Sequence, residues 1–310
     1  MILLKNTRSV ILLLSLTLSS LSLKANHTEQ AILAKDSIAL VALYNATHGD
    51  EWNDNQDQSN DGDYHNWNLG DPMELWEGVV IKHKKVVELN LHGRGLEGTI
   101  PEEIGNLTAL KKLDLAHNEL EGTLPKSLSK LTHLTFLDLS FNYIEGQIPE
   151  SIGSLHHLHK LDLSHNHFTG SIPTRIGKLK KLKYLLLGDN TLEGNIPEGI
   201  SKLHHLIVLD LSTNKLTGTI SNSLSHLNHL EELHLGNNLL AGTIPSGLGK
   251  LHHIRIIELQ NNSLTGELSE SYKNSLHLTH LNIEKNKFNP SHLSEFEGII
   301  LYYRYGGQKK

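Results

Sequence analysis

Eight asparagines, Asn118, Asn142, Asn166, Asn190, Asn214, Asn238, Asn262 and Asn286, stand 24 residues apart without one insertion. A period held that strictly restricts the chain to a repeat architecture. Leucine or isoleucine falls eight, five and three residues before each asparagine, as in Leu134, Leu137 and Leu139 before Asn142. An apolar residue follows two after (Leu120, Ile144, Phe168, Leu192), and glycine four after, from Gly98 to Gly266. Ile-Pro or Leu-Pro comes next in most copies, as at Ile148-Pro149. Arg94 occupies the asparagine slot of a first copy and brings the number to nine.

The alternation Leu113-Asp114-Leu115 has the period of a very short strand with one face buried, while the glycine and proline turn the chain back within each unit. Each repeat is therefore one coil. A single coil buries too few aliphatic side chains to offset the entropy of ordering 24 residues. Stacked coils cover one another, pair their strands into a parallel sheet, and let each asparagine bond the backbone of the neighbouring turn.

The pattern resembles the plant-type leucine-rich repeat, LxxLxxLxLxxNxLxGxIPxxLGxL, over Val86 to Phe288. The resemblance implies an α/β repeat solenoid: a curved horseshoe with a parallel β-sheet on the concave face, short 3₁₀ turns on the convex face, and a helical N-terminal cap. It implies a binding surface on the strand side and no chemistry. The cap phrases LVALYNAT (40–47), GDEW (49–52) and WEGV (76–79) are similar to those preceding such repeats in plant receptors and in bacterial and protist secreted proteins. The cysteine pair usual in the plant cap is replaced by Glu74 and Ile81, a departure that resembles the cysteine-free secreted bacterial and protist members more than a plant receptor ectodomain.

In chain order, residues 1–25 read as a secretory signal, with Lys5 and Arg8 before the apolar stretch Val10 to Leu18. That stretch is shorter than the ~20 residues of a membrane span, so no membrane insertion is expected after cleavage. Residues 26–85 form the N-terminal cap, 86–289 the nine repeats, and 290–310 a C-terminal cap and tail. Cysteine is absent, so disulfides play no part. The loop Asp57 to Asp63 begins like a calcium loop but holds Asn68 where the bidentate glutamate belongs. Sequons stand at Asn26, Asn45, Asn106 and Asn261. The formal charge of −6 becomes −9 once the signal, with its three cations, is removed. With no basic stripe in sight along the sequence, nucleic acid is not an expected partner.

Because the leucines point inward, the positions six, four, two and one before each asparagine, and the one after it, face the concave side. Asp114, Asp138, Asp162 and Asp210 form a column there, expected to be solvent-facing. Phe136, Phe141, Tyr143, Lys160, His165, His167 and Tyr184 form a candidate ligand patch, since aromatic residues that a fold does not bury are the usual anchors of a contact. No Walker loop, zincin motif or nucleophile elbow is present, and neither enzyme activity nor a cofactor is expected. The expected function is a secreted, monomeric, non-catalytic recognition scaffold, extracellular or periplasmic, holding a protein or a surface glycan in the concave face. The alternative is a matrix or ice-active solenoid, for which threonine (Thr99, Thr123, Thr219, Thr243) is too sporadic. Nine residues before the asparagines, His133, His157, His205, His229, His253 and His277 form a column. At strand spacing, about 4.8 Å, stacked imidazoles would repel one another once protonated, or chelate a transition metal when neutral.

Overall fold

The computed structural model describes residues 35–52 and 67–289. The signal, the calcium-like loop and the C-terminal cap of the sequence reading lie outside the described residues.

Nine parallel strands follow one another at the repeat period: Lys85–Asn90, Lys112–Asp114, Phe136–Asp138, Lys160–Asp162, Tyr184–Leu186, Val208–Asp210, Glu232–His234, Ile256–Glu258 and His280–Asn282. Register is that of the sequence period, Leu113 opposite Leu137 and Leu137 opposite Leu161. A tenth strand, Val79–Lys82, pairs antiparallel with Lys85–Asn90 and closes the N-terminal edge, an element the repeat pattern did not announce. It satisfies the open hydrogen-bonding groups of the first parallel strand. On the opposite side each of the first eight coils carries a 3₁₀ turn, such as Glu150–Ser154 behind Pro149. The leucine and isoleucine positions of every coil merge into one continuous core.

The asparagines form a ladder through that core. Asn166 Oδ1 accepts from the Ile144 amide of the preceding coil (3.0 Å), and its Nδ2 donates to the Leu139 carbonyl of that coil (2.9 Å) and to Leu163 of its own (3.3 Å). Asn142 donates to the same Leu139 carbonyl at 3.1 Å. Each such carbonyl therefore joins two successive asparagines, and the pattern recurs from Asn118 to Asn286. These side chains occupy the space where a coil turns and its backbone groups would otherwise be buried unpaired. A second, convex link appears at two of the places where glutamate follows proline, Glu102 and Glu150. The Glu102 carboxylate accepts from the Lys126 and Ser127 amides, both at 2.9 Å, and Glu150 does the same for Thr174 and Arg175.

In the cap, residues 35–46 are α-helical. Leu40, Leu43 and Tyr44 are buried against the first coil, and the Asp36 carboxylate accepts from the Val86 amide at 2.8 Å. Gly98 lets the helix end approach: a side chain there would meet the Ala46 carbonyl, and its φ of +118 suits glycine alone. All three tryptophans pack here with Tyr44, at centroid distances of 4.9 to 6.2 Å, and each indole N–H reaches a backbone carbonyl. This aromatic cluster secures a cap that has no cysteine.

Candidate ligand-binding face

The concave face divides into strips running across the coils. In the strip at the strand starts, Phe136 is half-buried between the Lys112 and Lys160 ammoniums, 5.0 and 5.1 Å from its ring centre, and Tyr184 continues the row in exposed surroundings. Lys160 reaches Asp138 at 2.7 Å and Asp162 at 3.2 Å. Desolvation pulls this ammonium's pKa down, but the Asp138 hydrogen bond and the two carboxylate charges outweigh it and hold Lys160 above the ordinary lysine value.

The aspartate column departs from expectation. Asp114, Asp138 and Asp162 are buried at 8, 7 and 6% exposure instead of facing solvent. Lysine ammoniums lie on all three, Lys112 on Asp114 and Lys160 on Asp138 and Asp162. Asp138 Oδ1 also turns back to accept from the Ser140 amide (3.1 Å) and hydroxyl (2.7 Å), and Asp162 does the same with Ser164, whereas Asp210, bonded to Ser212 in the same way, stays half-buried.

The other strip lies where the strands end. The residue just before each ladder asparagine, from His117 to Lys285, adopts a left-handed backbone with φ between 50 and 56. That conformation is uncommon for any side chain but glycine, and least expected for a phenylalanine. Phe141 holds it inside a stack of rings: His92 to His117 at 4.8 Å, His117 to Phe141 at 4.2 Å, Phe141 to His165 at 3.9 Å. Asp189 ends the stack, its carboxylate 2.7 Å from His165 Nδ1. Beside it runs a shorter stack, Tyr143 with His167 at 6.0 Å. Between the two lies an open depression of about 450 Å³, lined by Phe141, Tyr143, His165, His167 and Asp189 over the ladder asparagines. Four of the seven expected patch residues thus meet at one depression. Phe136, Lys160 and Tyr184 lie on the separate strip, with the aspartate column between. Phe141 and Tyr143 remain 43% and 54% exposed, large apolar surfaces that the fold has not covered.

Ring geometry limits what the depression can hold. Phe141 has His117 on one face and His165 on the other, so its edge is what remains exposed, while Tyr143 has a ring neighbour on one side, His167. A sugar that packs its C–H face on an aromatic face finds no platform on Phe141. The imidazole edges and the Tyr143 hydroxyl offer hydrogen-bonding groups, and the Phe141 and Tyr143 edges apolar area, a combination suited to an extended peptide.

Further along the face, Glu232, His234, Glu258 and His280 form a cluster that sequence inspection missed, since its members come from three repeats. His234 Nδ1 lies 2.8 Å from Glu258 and its Nε2 3.3 Å from Glu232; His280 is 3.4 Å from Glu258. Burial pushes the His234 pKa down, but the Glu258 hydrogen bond and the surrounding carboxylates prevail and hold it above the ordinary histidine range. Among the described residues no group of histidine and carboxylate side chains is arranged to hold a metal ion.

Outside the concave face, two expectations change. The histidine column is stacked, but at 5.9 to 6.3 Å, wider than the strand spacing. These residues lie in the exposed turns that lead into the strands, so solvent screens their mutual repulsion. Secondly, these same turns align lysines and histidines into a basic edge, a stripe invisible along a sequence that spaces its charges 24 residues apart.

A leucine-rich repeat region matches residues 126–296, and a leucine rich repeat matches 84–144. The chain is similar to the leucine-rich-repeat ectodomain of the plant membrane receptor kinase GASSHO1/SCHENGEN3 from Arabidopsis thaliana, in complex with CASPARIAN STRIP INTEGRITY FACTOR 2. Identity is 34% with a TM-score of 0.64, over 67% of this chain and 25% of that one. It is also similar to the plant peptide hormone receptor RGFR1 in complex with RGF2, at 34% identity and TM-score 0.60, over 61% of this chain and 30% of the receptor's. The chain thus spans well under half the length of these two receptors. A plant ice-binding protein shares the fold at 24% identity and TM-score 0.62, over 82% of this chain and 87% of that chain. Nine coils in one register, a continuous asparagine ladder and a family match across more than half of the sequence make the chain a member of the leucine-rich-repeat family.

Proposed function

We propose that this chain is a secreted, non-catalytic recognition scaffold that holds an extended protein or peptide segment along its concave face, at the depression between Phe141, Tyr143, His165 and His167. The observation carrying this reading is the pair of ring stacks, exposed, edge-on and seated on a rigid sheet. Such a surface provides apolar contact and hydrogen-bonding groups at little entropic cost, because the solenoid has already ordered its side chains. Two relatives with a third of their residues identical over the matched region are described in complex with CASPARIAN STRIP INTEGRITY FACTOR 2 and with RGF2, the second being a peptide hormone receptor. Edge-on rings make a glycan the weaker fit. The ice-active alternative calls for a flat threonine array, whereas the short strands that follow the ladder position in four coils, Glu97–Thr99, Glu119–Glu121, Glu145–Gln147 and Glu193–Asn195, carry Glu97, Glu121, Glu145 and Glu193.

Export follows from the signal-like residues 1–25, placement among cysteine-free members from Glu74 and Ile81, and the division into 26–85, 86–289 and 290–310 from where the repeat starts and lapses. No helix among the described residues is long and apolar enough to cross a membrane. The test is a selection of displayed peptides on the mature monomer, followed by affinity measurement with a Phe141→Ala/Tyr143→Ala variant. Loss of binding at unchanged melting temperature supports the site. Equal binding removes it.

A further inference from the structure

The six turns that lead into successive strands read KLTHLT (130–135), SLHHLH (154–159), KLKKLK (178–183), KLHHLI (202–207), HLNHLE (226–231) and KLHHIR (250–255). Together they hold eight lysines and arginines, ten histidines and one carboxylate, Glu231, which pairs with Arg255 at 3.3 Å. Eight cations less one anion leave +7 on an edge of a chain whose formal charge is −6. Every lysine, arginine and histidine in these turns is exposed.

The imidazoles are ordered. His133, His157 and His229 each place Nδ1 at 2.8 to 3.0 Å from a backbone carbonyl of the preceding coil. A carbonyl only accepts, so Nδ1 carries the hydrogen and Nε2 is the atom left to take up a proton. Rings stack from His133 to His157 and from His205 through His229 to His253, one per coil. The coil between the two runs supplies Lys181 in place of histidine, flanked by Lys180 and Lys183. Lys180 donates to the Lys202 carbonyl at 3.1 Å. Within these turns the charged side chains are therefore cations throughout, apart from Glu231. Burial, and then Lys183, Lys181 and His157, hold His159 below the ordinary histidine value. An anion laid across this edge would relieve that repulsion and draw protons in.

We propose that this edge is a second binding site, separate from the concave face, for a linear acidic polysaccharide lying across the coils, and that its hold tightens as the histidines take up protons below neutral pH. One anionic group per coil meets one cation per coil. The lysine-rich coil holds the polymer at neutral pH, and the histidine coils lengthen the contact on acidification. A single-stranded nucleic acid has the same charge but needs aromatic faces for its bases. These turns contain no phenylalanine, tyrosine or tryptophan, and the imidazoles of His133, His157, His205, His229 and His253 stack on one another.

The experiment measures binding of the mature chain to polygalacturonate, heparin, neutral dextran and oligo-dT at pH 7.5 and 5.0. Both acidic polysaccharides are expected to bind, roughly tenfold tighter at pH 5.0 as several weak surface pairs are added, with dextran inert and oligo-dT weaker. Binding to heparin alone would assign the edge to sulfated chains, and to polygalacturonate alone to carboxylated ones; either supports the proposal. Lys178→Gln/Lys180→Gln/Lys181→Gln/Lys183→Gln should lose binding at pH 7.5. Changing His133, His157, His205, His229 and His253 to Gln should keep it and abolish the tightening. Calorimetry of the unaltered chain at pH 6 in two buffers should register proton uptake on binding, a readout that needs no variant. Oligo-dT binding as tightly as the polysaccharides, polysaccharide binding indifferent to pH, or binding without proton uptake would overturn the proposal.

Discussion

Replacing Asn166 by alanine removes the centre of the ladder. The Ile144 amide then loses its only hydrogen-bond acceptor in a buried position, at about 1–3 kcal/mol, and the Leu139 and Leu163 carbonyls each lose one of two donors, at about 0.5–1 kcal/mol each. The expected loss is roughly 2–5 kcal/mol. Asn166→Leu, which restores the volume and none of the hydrogen bonds, should lose as much. Asn286 sits in the last described coil, half-buried, and its replacement should cost less, since water can reach the groups it leaves. Guanidinium unfolding followed by circular dichroism measures the whole solenoid, while tryptophan fluorescence reads the cap, where all three tryptophans lie. A loss under about 1 kcal/mol for Asn166→Ala, or rescue by leucine, would refute hydrogen bonding as the ladder's contribution.

Deleting residues 26–85 should expose the core edge of the first coil and give an insoluble or molten product; a soluble, sharply melting truncation would disprove the capping role. Backbone hydrogen bonds to Glu102 and Glu150 hold both carboxyls below the usual carboxylate range: at Glu102 the Ser127 amide is the largest influence, at Glu150 the Arg175 and Thr174 amides outweigh desolvation. Their stabilisation is therefore present above the unfolded value near pH 4.5 and lost as pH falls through the folded values. Glu102→Gln/Glu150→Gln should flatten that part of the acid melting profile. His234 has the opposite sign. Its folded value is raised, so its contribution is complete below about pH 6.5 and fades as pH rises through the folded value; His234→Gln should abolish a drop in melting temperature between pH 6 and 8.

Much of the fold was legible because the residues that determine it recur at fixed spacing. Leucines three and five before an asparagine can only alternate into a strand, and an invariant asparagine inside an apolar unit must bond backbone. The concave patch was legible as a set of exposed aromatic positions, but not its division, which depends on Phe136 settling between Lys112 and Lys160 while Phe141 enters a ring stack. The buried aspartates were misread because the cover over Asp138 comes from Lys160 of the next coil; the local pattern Asp-Leu-Ser recurs at Asp210, which stays half-buried. The antiparallel strand Val79–Lys82 falls outside the period, and the basic edge and the His234 cluster assemble residues from different coils, which only the stacked structure brings side by side.

Photo-crosslinking shows whether a ligand lies over the depression of the concave face. Benzoylphenylalanine at position 143 keeps an aromatic ring where Tyr143 stands 54% exposed beside Phe141, and the same group at position 126 probes the convex turn that begins at Lys126. With a peptide selected on the unaltered protein, an adduct is expected at 143 and none at 126. An adduct at 126 without one at 143 would contradict that placement.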